Sequence, residues 1–168
     1  MTVLATDAML NRIEDAIKNR ILGMKKGEYH YTWGSVNEPD QTKQRLPSAE
    51  VRLVDETSLD DPDGAWSQAY MQECTYEILV RARLDKEASI PDFEIDKELN
   101  HALEDLKKAF GDDEKCNLGN STCAVIMYRG MRRVKNVSGD TIVPKHMVTK
   151  WRVTYTQDRA SPTTSADA

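Results

Sequence analysis

The chain has 168 residues, a formal net charge of -5, 39% hydrophobic residues and 30% charged residues. That length suits one domain, the apolar content excludes disorder throughout, and an acidic total excludes tight, sequence-independent wrapping of DNA, which needs many cationic contacts to phosphate. No run approaches the ~18 apolar residues of a membrane helix, and no basic region followed by an apolar run opens the chain, so the protein is expected to stay in the compartment where it is made, without membrane contact.

In chain order, Met9, Leu10, Ile13, Ala16, Ile17 and Ile21 recur at helical spacing and predict a first amphipathic helix over residues 7–22. Thr6 or Asp7 is the expected cap, and Gly23 the stop, beside Arg20, Lys25 and Lys26. Tyr29, Tyr31 and Trp33 then alternate with His30 and Thr32, which predicts a short strand or extended aromatic arm. Packing into the core is the preferred reading of these aromatics over a binding patch. A loop over 37–48 leads to a strand over 49–56, with Val51 and Leu53 on one face and Arg52 and Val54 on the other. Asp60, Asp61, Asp63 and Gly64 follow in an acidic loop that lacks the alternating oxygen ligands and closing glutamate of a calcium site, so it reads as exposed.

The strongest strand pattern covers 71–84. Cys74, Tyr76, Ile78, Val80 and Ala82 share one face, and Glu73, Thr75, Glu77, Leu79, Arg81 and Arg83 share the other. This period of two predicts a sheet covered on one side and wet on the other. Asp92 caps a second helix whose expected buried stripe is Phe93, Ile95, Leu99, Ala102, Leu103, Leu106 and Phe110, with Glu94, Asp96, Glu98, Glu104 and Asp105 outside and Gly111 at its end. A strand over 121–128 runs into Arg129–Lys135 as a frayed or twisted continuation, and Ser138, Gly139 and Asp140 suit a hairpin turn. In the last strand, 146–157, Met147, Thr149, Trp151, Val153 and Tyr155 alternate with Val148, Lys150, Arg152, Thr154 and Thr156. Residues 160–168 carry too little apolar side chain to order themselves and are expected to be disordered.

These elements predict an α+β domain over residues 1–159: an antiparallel or mixed sheet of four to five strands with two amphipathic helices on one face. Charge is split along it. Residues 121–168 carry eight Lys or Arg against three Asp or Glu, net +5, which leaves net -10 for residues 1–120. An acidic body and a basic end can pair within one chain or between copies.

Catalytic patterns are missing. His30, His101 and His146 are scattered and form no zinc motif, there is no phosphate-binding glycine loop, and no nucleophile elbow is present. Asp105, Leu106 and Lys107 come nearest to a metal-dependent nuclease pattern, but they fall within the second helix, on its expected solvent face. Cys74, Cys116 and Cys123 are odd in number; free thiols are preferred, with a pairing of Cys116 and Cys123 left open. No cofactor or metal is expected. Arg129, Arg132, Arg133 and Lys135 form the concentrated basic feature, and an acidic neighbouring subunit is its best partner. The candidate contact opposes these residues to the acidic residues of 55–63, among them Asp60, Asp61 and Asp63, with Glu73, Glu77, Arg81 and Arg83 on the wet sheet face and Tyr29, Tyr31 and Trp33 as a further patch.

The order of elements, with Thr32 to Asn37 after the first helix, Tyr76-Glu77-Ile78-Leu79-Val80, Ala124-Val125-Ile126-Met127-Tyr128 and the closing Lys150 to Tyr155, resembles the tail terminator and tail-completion proteins of long-tailed bacteriophages over residues 6–159. The resemblance implies a structural virion protein rather than an enzyme. It further implies a ring, typically a hexamer, assembled in the host cytoplasm, that caps the head-proximal end of the tail tube and joins the head connector while genomic DNA passes through its lumen. A neck or head-completion adaptor and, less favoured, a small metal-dependent nuclease are the alternatives.

Overall fold

Among the described residues the elements follow in the order α1 (Met9–Leu22), β1 (Ser35–Val36), β2 (Ser48–Ser58), β3 (Ala69–Arg81), α2 (Asp92–Gly111), β4 (Val125–Val134), β5 (Val137–Ser138), β6 (Thr141–Ile142) and β7 (His146–Asp158). They come from a computed structural model that describes residues 8–40, 42–58, 69–82, 92–111, 118, 124–134, 137–138, 141–142 and 146–158. The acidic loop with Asp60, Asp61 and Asp63, and also Arg83, Cys116, Cys123, Lys135 and the 160–168 tail, lie outside the described residues.

Five strands form one sheet in the order β1-β2-β3-β7-β4, with β5 and β6 paired apart from it. β1 runs parallel to β2, and every other neighbour pair in the sheet is antiparallel. The predicted α+β class therefore holds, as a mixed five-stranded sheet under two helices.

The period-two pattern of the central strands sets which face is buried. On β3, Cys74, Tyr76, Ile78 and Val80 are buried, and on β7 so are Met147, Thr149, Trp151, Val153 and Tyr155. Residues directly opposite in the ladder share a face, and Cys74 with Val153 and Tyr76 with Trp151 are such pairs. Onto this face α1 lays Met9, Ile13, Ala16, Ile17 and Ile21, and α2 lays Ile95, Leu99, Ala102, Leu106 and Phe110. α1 packs over β1 and β2, and α2 over β4, β3 and β7. Tyr76 of β3 ties α1 to the sheet by donating its hydroxyl to the Leu10 carbonyl at 3.0 Å, and Arg20 of α1 ties it to α2 by donating to the Ala109 carbonyl at 3.2 Å.

Several expectations need correction. The cap position of α1 is Ala8, which is extended and offers no side-chain hydrogen bond; Thr6 and Asp7 lie outside the described residues. Phe93 is 61% exposed rather than part of the buried stripe. At 3.6 residues per turn it points about 200° away from Ile95, off the face that α2 turns to the sheet. Leu53 shares its face with Tyr76 but is 42% exposed, because β2 carries a bulge between Leu53 and Asp55 and runs on to Ser58 beyond the cover of the helices. Of the two readings of residues 129–134, frayed or a twisted continuation, the continuation holds. They continue β4, which absorbs Arg129 as an extra residue between Tyr128 and Gly130, and Gly130 supplies the positive φ of 133°.

The 29–33 segment is no strand. Its backbone folds back under the end of α1, with Trp33 donating its N–H to the Met24 carbonyl at 3.1 Å and Thr32 accepting from the Lys26 N–H. Three of its other donors converge on Asp105, the largest departure from the expected pattern. Asp105 is 2% exposed, and its carboxylate accepts from the N–H of His30 at 2.8 Å, the N–H of Tyr31 at 3.1 Å and Trp33 Nε1 at 3.0 Å. A buried carboxylate costs less when such donors replace its water. The N–H groups that a strand would have used are spent on this clip.

Burial also has a pH signature. Desolvation pushes the Cys74 thiol from 9.0 up to about 12, and raises the Tyr76 hydroxyl as well. In the unfolded chain these groups ionise at their ordinary values, so above about pH 9 the unfolded state holds fewer protons than the folded one and stability must fall as pH rises. The unfolding midpoint in urea is expected to drop steadily between pH 9 and 11, with a shallower drop in Cys74→Ala. An unchanged slope in that variant would remove Cys74 from the account.

Candidate functional site

With both helices on one face, the other face of the sheet and its two long edges are what the fold leaves for a partner. On that outer face the register sets charged side chains in rows. Arg52, Glu77 and Lys150 stand side by side across β2, β3 and β7. Glu73 lies beside Thr154, and its carboxylate is 3.9 Å from Arg152 Nε. Glu50 and Arg52 pair at 2.8 Å, which lowers the Glu50 carboxyl below its ordinary value and raises the Arg52 guanidinium. Exposed pairs of this kind contribute little to stability, so the rows are free to be re-paired by another surface.

Apolar groups are interleaved with these charges. Leu79 and Val148 face each other in the ladder and are each 8% exposed. Met71, Val125 and Met127 are 40% exposed or more and lie toward the opposite end of the same face. A shallow depression lined by Glu77, Arg129, Arg132, Val148 and Lys150 joins the outer face to the β4 edge.

The two edges differ in sign. Among the described residues β4 is paired on one side only, by β7, and presents Arg129 and Arg132, both exposed. At the other edge, among the described residues, β1 covers β2 at Ser48 and Ala49. The side-chain amide of Asn37 extends that cover by one residue, accepting from the Val51 N–H at 2.6 Å and donating to the Val51 carbonyl at 3.3 Å. Beyond it, Arg52, Leu53, Val54, Asp55, Glu56 and Thr57 are all exposed.

The residues singled out from the sequence thus fall into groups. Glu73, Glu77 and Arg81 belong to β3, with Glu73 and Glu77 in the outer-face rows, and Arg129 and Arg132 share the β4 edge. Arg133 turns to its own chain: it donates to Asn100 Oδ1, and its Nε lies 3.7 Å from Asp96 Oδ1, so it fastens β4 to α2. Burial lowers its pKa. Tyr29 and Tyr31 are half-buried and Trp33 is fully buried, so the aromatic segment is core lining rather than a protruding arm. Asp105 is engaged by Trp33 and two backbone donors, and Lys107 Nζ sits 4.5 Å from the centre of the Tyr128 ring, so the Asp105-Leu106-Lys107 pattern does not converge on a substrate. His30 stacks on His101 at 4.4 Å and contacts Glu104 at 2.7 Å. Among the described residues no three His, Cys, Asp or Glu side chains gather as a metal-ligand set, and no helix is long and apolar enough to cross a membrane.

At the exposed end of β2, Asp55 and Glu56 belong to the acidic stretch set against Arg129–Lys135 from the sequence, whereas the exposure of Leu53 and Val54 was not foreseen. Its signal was present in Val51 to Glu56, where apolar and charged residues change places around Val54 and break the alternation at the bulge. Comparison of the sequence with models of protein families finds no match, and comparison with curated proteins finds none either.

Proposed function

We propose that this chain is a structural protein of a long-tailed bacteriophage virion, which assembles with copies of itself into a ring at the head-proximal end of the tail tube and joins it to the head connector. The observation that carries this reading is the one-sided fold: both helices cover one sheet face, while the other face, apart from the buried Leu79 and Val148, carries part-exposed charged and apolar side chains between two edges of opposite charge. A surface that pairs acidic with basic is self-complementary between copies, and a head-to-tail contact repeated by rotation closes a ring. The order of elements that resembles tail terminator proteins supplies the place in the virion. The net -10 of residues 1–120 has the sign that a wall past which DNA slides without sticking requires. An adaptor that grips a partner through Tyr29, Tyr31 and Trp33 is the weaker reading, since the Trp33 ring is enclosed.

Negative-stain microscopy of the purified chain, alone and mixed with tail tubes, tests the proposal. Rings, or caps on one end of each tube, are expected, with fewer free rings as salt screens the charged contact. A monomer by light scattering at both low and high salt, together with bare tube ends, would sink it.

A further inference from the structure

We propose that the depression beside Gly130 on the outer sheet face is a binding site for a phosphate monoester, held by Arg129, Arg132 and Lys150. The site lies within one chain, so it goes beyond the ring reading and does not depend on it.

The gap is built by the backbone. β4 takes up Arg129 as an extra residue, and the next position adopts a φ of 133°, a conformation that only glycine reaches without strain. Arg52, Glu77 and Lys150 fill three places of one row across the sheet, and Gly130 stands at the fourth, across from Lys150. A Cβ placed at Gly130 would meet nothing within 4 Å, so the fourth place is open space. In the next row Arg132 stands across from Val148, which is 8% exposed. The result is a cavity of about 280 Å³ lined by Arg129, Gly130, Arg132 and Lys150, with Glu77 and Val148 beside them. Every residue that lines it is among those described. Such a volume lies at the small end of the range for small-molecule sites.

Charge gives the class of ligand. On the same face Arg52 pairs with Glu50, and Arg152 with Glu73. Arg129, Arg132 and Lys150 are exposed and pair with no carboxylate among the described residues. Glu77 is the carboxylate of the lining, and in the ladder it lies between Lys150 and Arg52. Three positive charges against one negative leave the cavity at +2. A phosphate monoester carries about -1.5 to -2 near neutral pH, whereas a carboxylate or a phosphodiester carries a single negative charge. Arginine suits the oxygens of the monoester as well, because its forked N–H donors meet phosphoryl oxygens two at a time, and Lys150 adds a point charge from across the row.

Titration of the full chain at fixed ionic strength, followed through the backbone amide signals of Gly130 and Lys150 in proton–nitrogen correlation spectra, tests the site. The probes are adenosine monophosphate, inorganic phosphate and the cyclic diester of adenosine monophosphate. Saturable shifts at those amides are expected, with a dissociation constant of about 1 mM or less for the monoester and binding about fivefold weaker for the cyclic diester. Inorganic phosphate that binds as tightly as the nucleotide assigns the site to the phosphoryl group alone, and a tighter nucleotide makes the ligand a nucleoside monophosphate. Arg132→Gln and Lys150→Gln are each expected to weaken binding about five- to tenfold, while Arg52→Gln, at the far end of the row, should stay within about twofold of the wild type. All three side chains are exposed, so circular dichroism and the urea midpoint should not change. The proposal is overturned by a monoester that fails to saturate at about 20 mM, or by a cyclic diester that binds as well. A loss in Arg52→Gln as large as in Lys150→Gln also overturns it, because the anion would then answer to the charge of the whole face. None of these outcomes touches the ring reading.

Discussion

Replacing Asp105 by Ala is expected to lower folding stability by about 3–5 kcal/mol, read as a fall in the urea midpoint at unchanged slope. The carboxylate holds three donors from a segment more than seventy residues earlier: the backbone N–H groups of His30 and Tyr31 and the indole N–H of Trp33. Each is a charge-assisted bond of about 1.5–3 kcal/mol net, and the contributions do not add fully because the donors share one carboxylate. Alanine leaves these donors without an acceptor beside a fully buried Trp33 ring, where water is a poor substitute. Asp105→Asn retains one acceptor oxygen and should fall between wild type and Ala. Trp33→Phe removes a single donor and should cost less than either. In a double-mutant cycle Asp105→Ala and Trp33→Phe should show coupling of about 1 kcal/mol or more. A loss under about 1 kcal/mol for Asp105→Ala would mean that the segment is held by apolar packing alone.

The second large effect is expected at Trp151. Its indole lies at the meeting of three elements, 5.1 Å from the Phe110 ring on α2 and 5.2 Å from the Tyr128 ring on β4, with Trp151 itself on β7. Its Nε1 donates to Thr149 Oγ1 at 2.8 Å, and that hydroxyl donates to the Ile78 carbonyl of β3 at 3.0 Å. Trp151→Ala removes the ring contacts, opens a cavity and leaves the buried Thr149 hydroxyl without its donor, at an expected cost of about 3–5 kcal/mol. Trp151→Phe keeps an aromatic wall and should cost about half as much. Near-ultraviolet circular dichroism should weaken in the Ala variant before any change in the far-ultraviolet signal, since packing is lost ahead of the sheet. A variant that unfolds at the wild-type midpoint would show that Phe110 and Tyr128 close over the gap.

Periodicity made most of the fold legible. The faces of β3 and β7 could be read from Cys74 to Val80 and from Met147 to Tyr155, because alternation leaves a sheet residue two choices and a buried face admits few polar groups. The helix stripes were legible for the same reason, and the error at Phe93 came from counting it by composition rather than by angle. Asp105 could also have been placed by angle. It lies three residues after Ala102 and four before Ala109, both buried, which puts it on the apolar stripe despite its charge. Charge type outweighed position in that reading, although a carboxylate enters a core when donors from elsewhere meet it. Those donors come from residues 30–33, and no local pattern links them to residue 105.

The outer face and the edges divide in the same way. The charges of Glu73, Glu77 and Arg81, and the basic run from Arg129 onward, are properties of the sequence alone. Their grouping is not. β7 enters the sheet between β3 and β4, which carries the basic strand to one edge while β2 holds the acidic stretch at the other. The same arrangement draws Arg133 away from solvent to Asn100 and Asp96.

What the sequence determined by itself was therefore the local content: two amphipathic helices, alternating strands and a split of charge, each a matter of residues a few positions apart. Only the tertiary structure decided which strand stands at an edge, where Arg133 points and what Asp105 holds. These depend on contacts between residues far apart in the chain, and the free energy that selects them comes from closing the whole core at once.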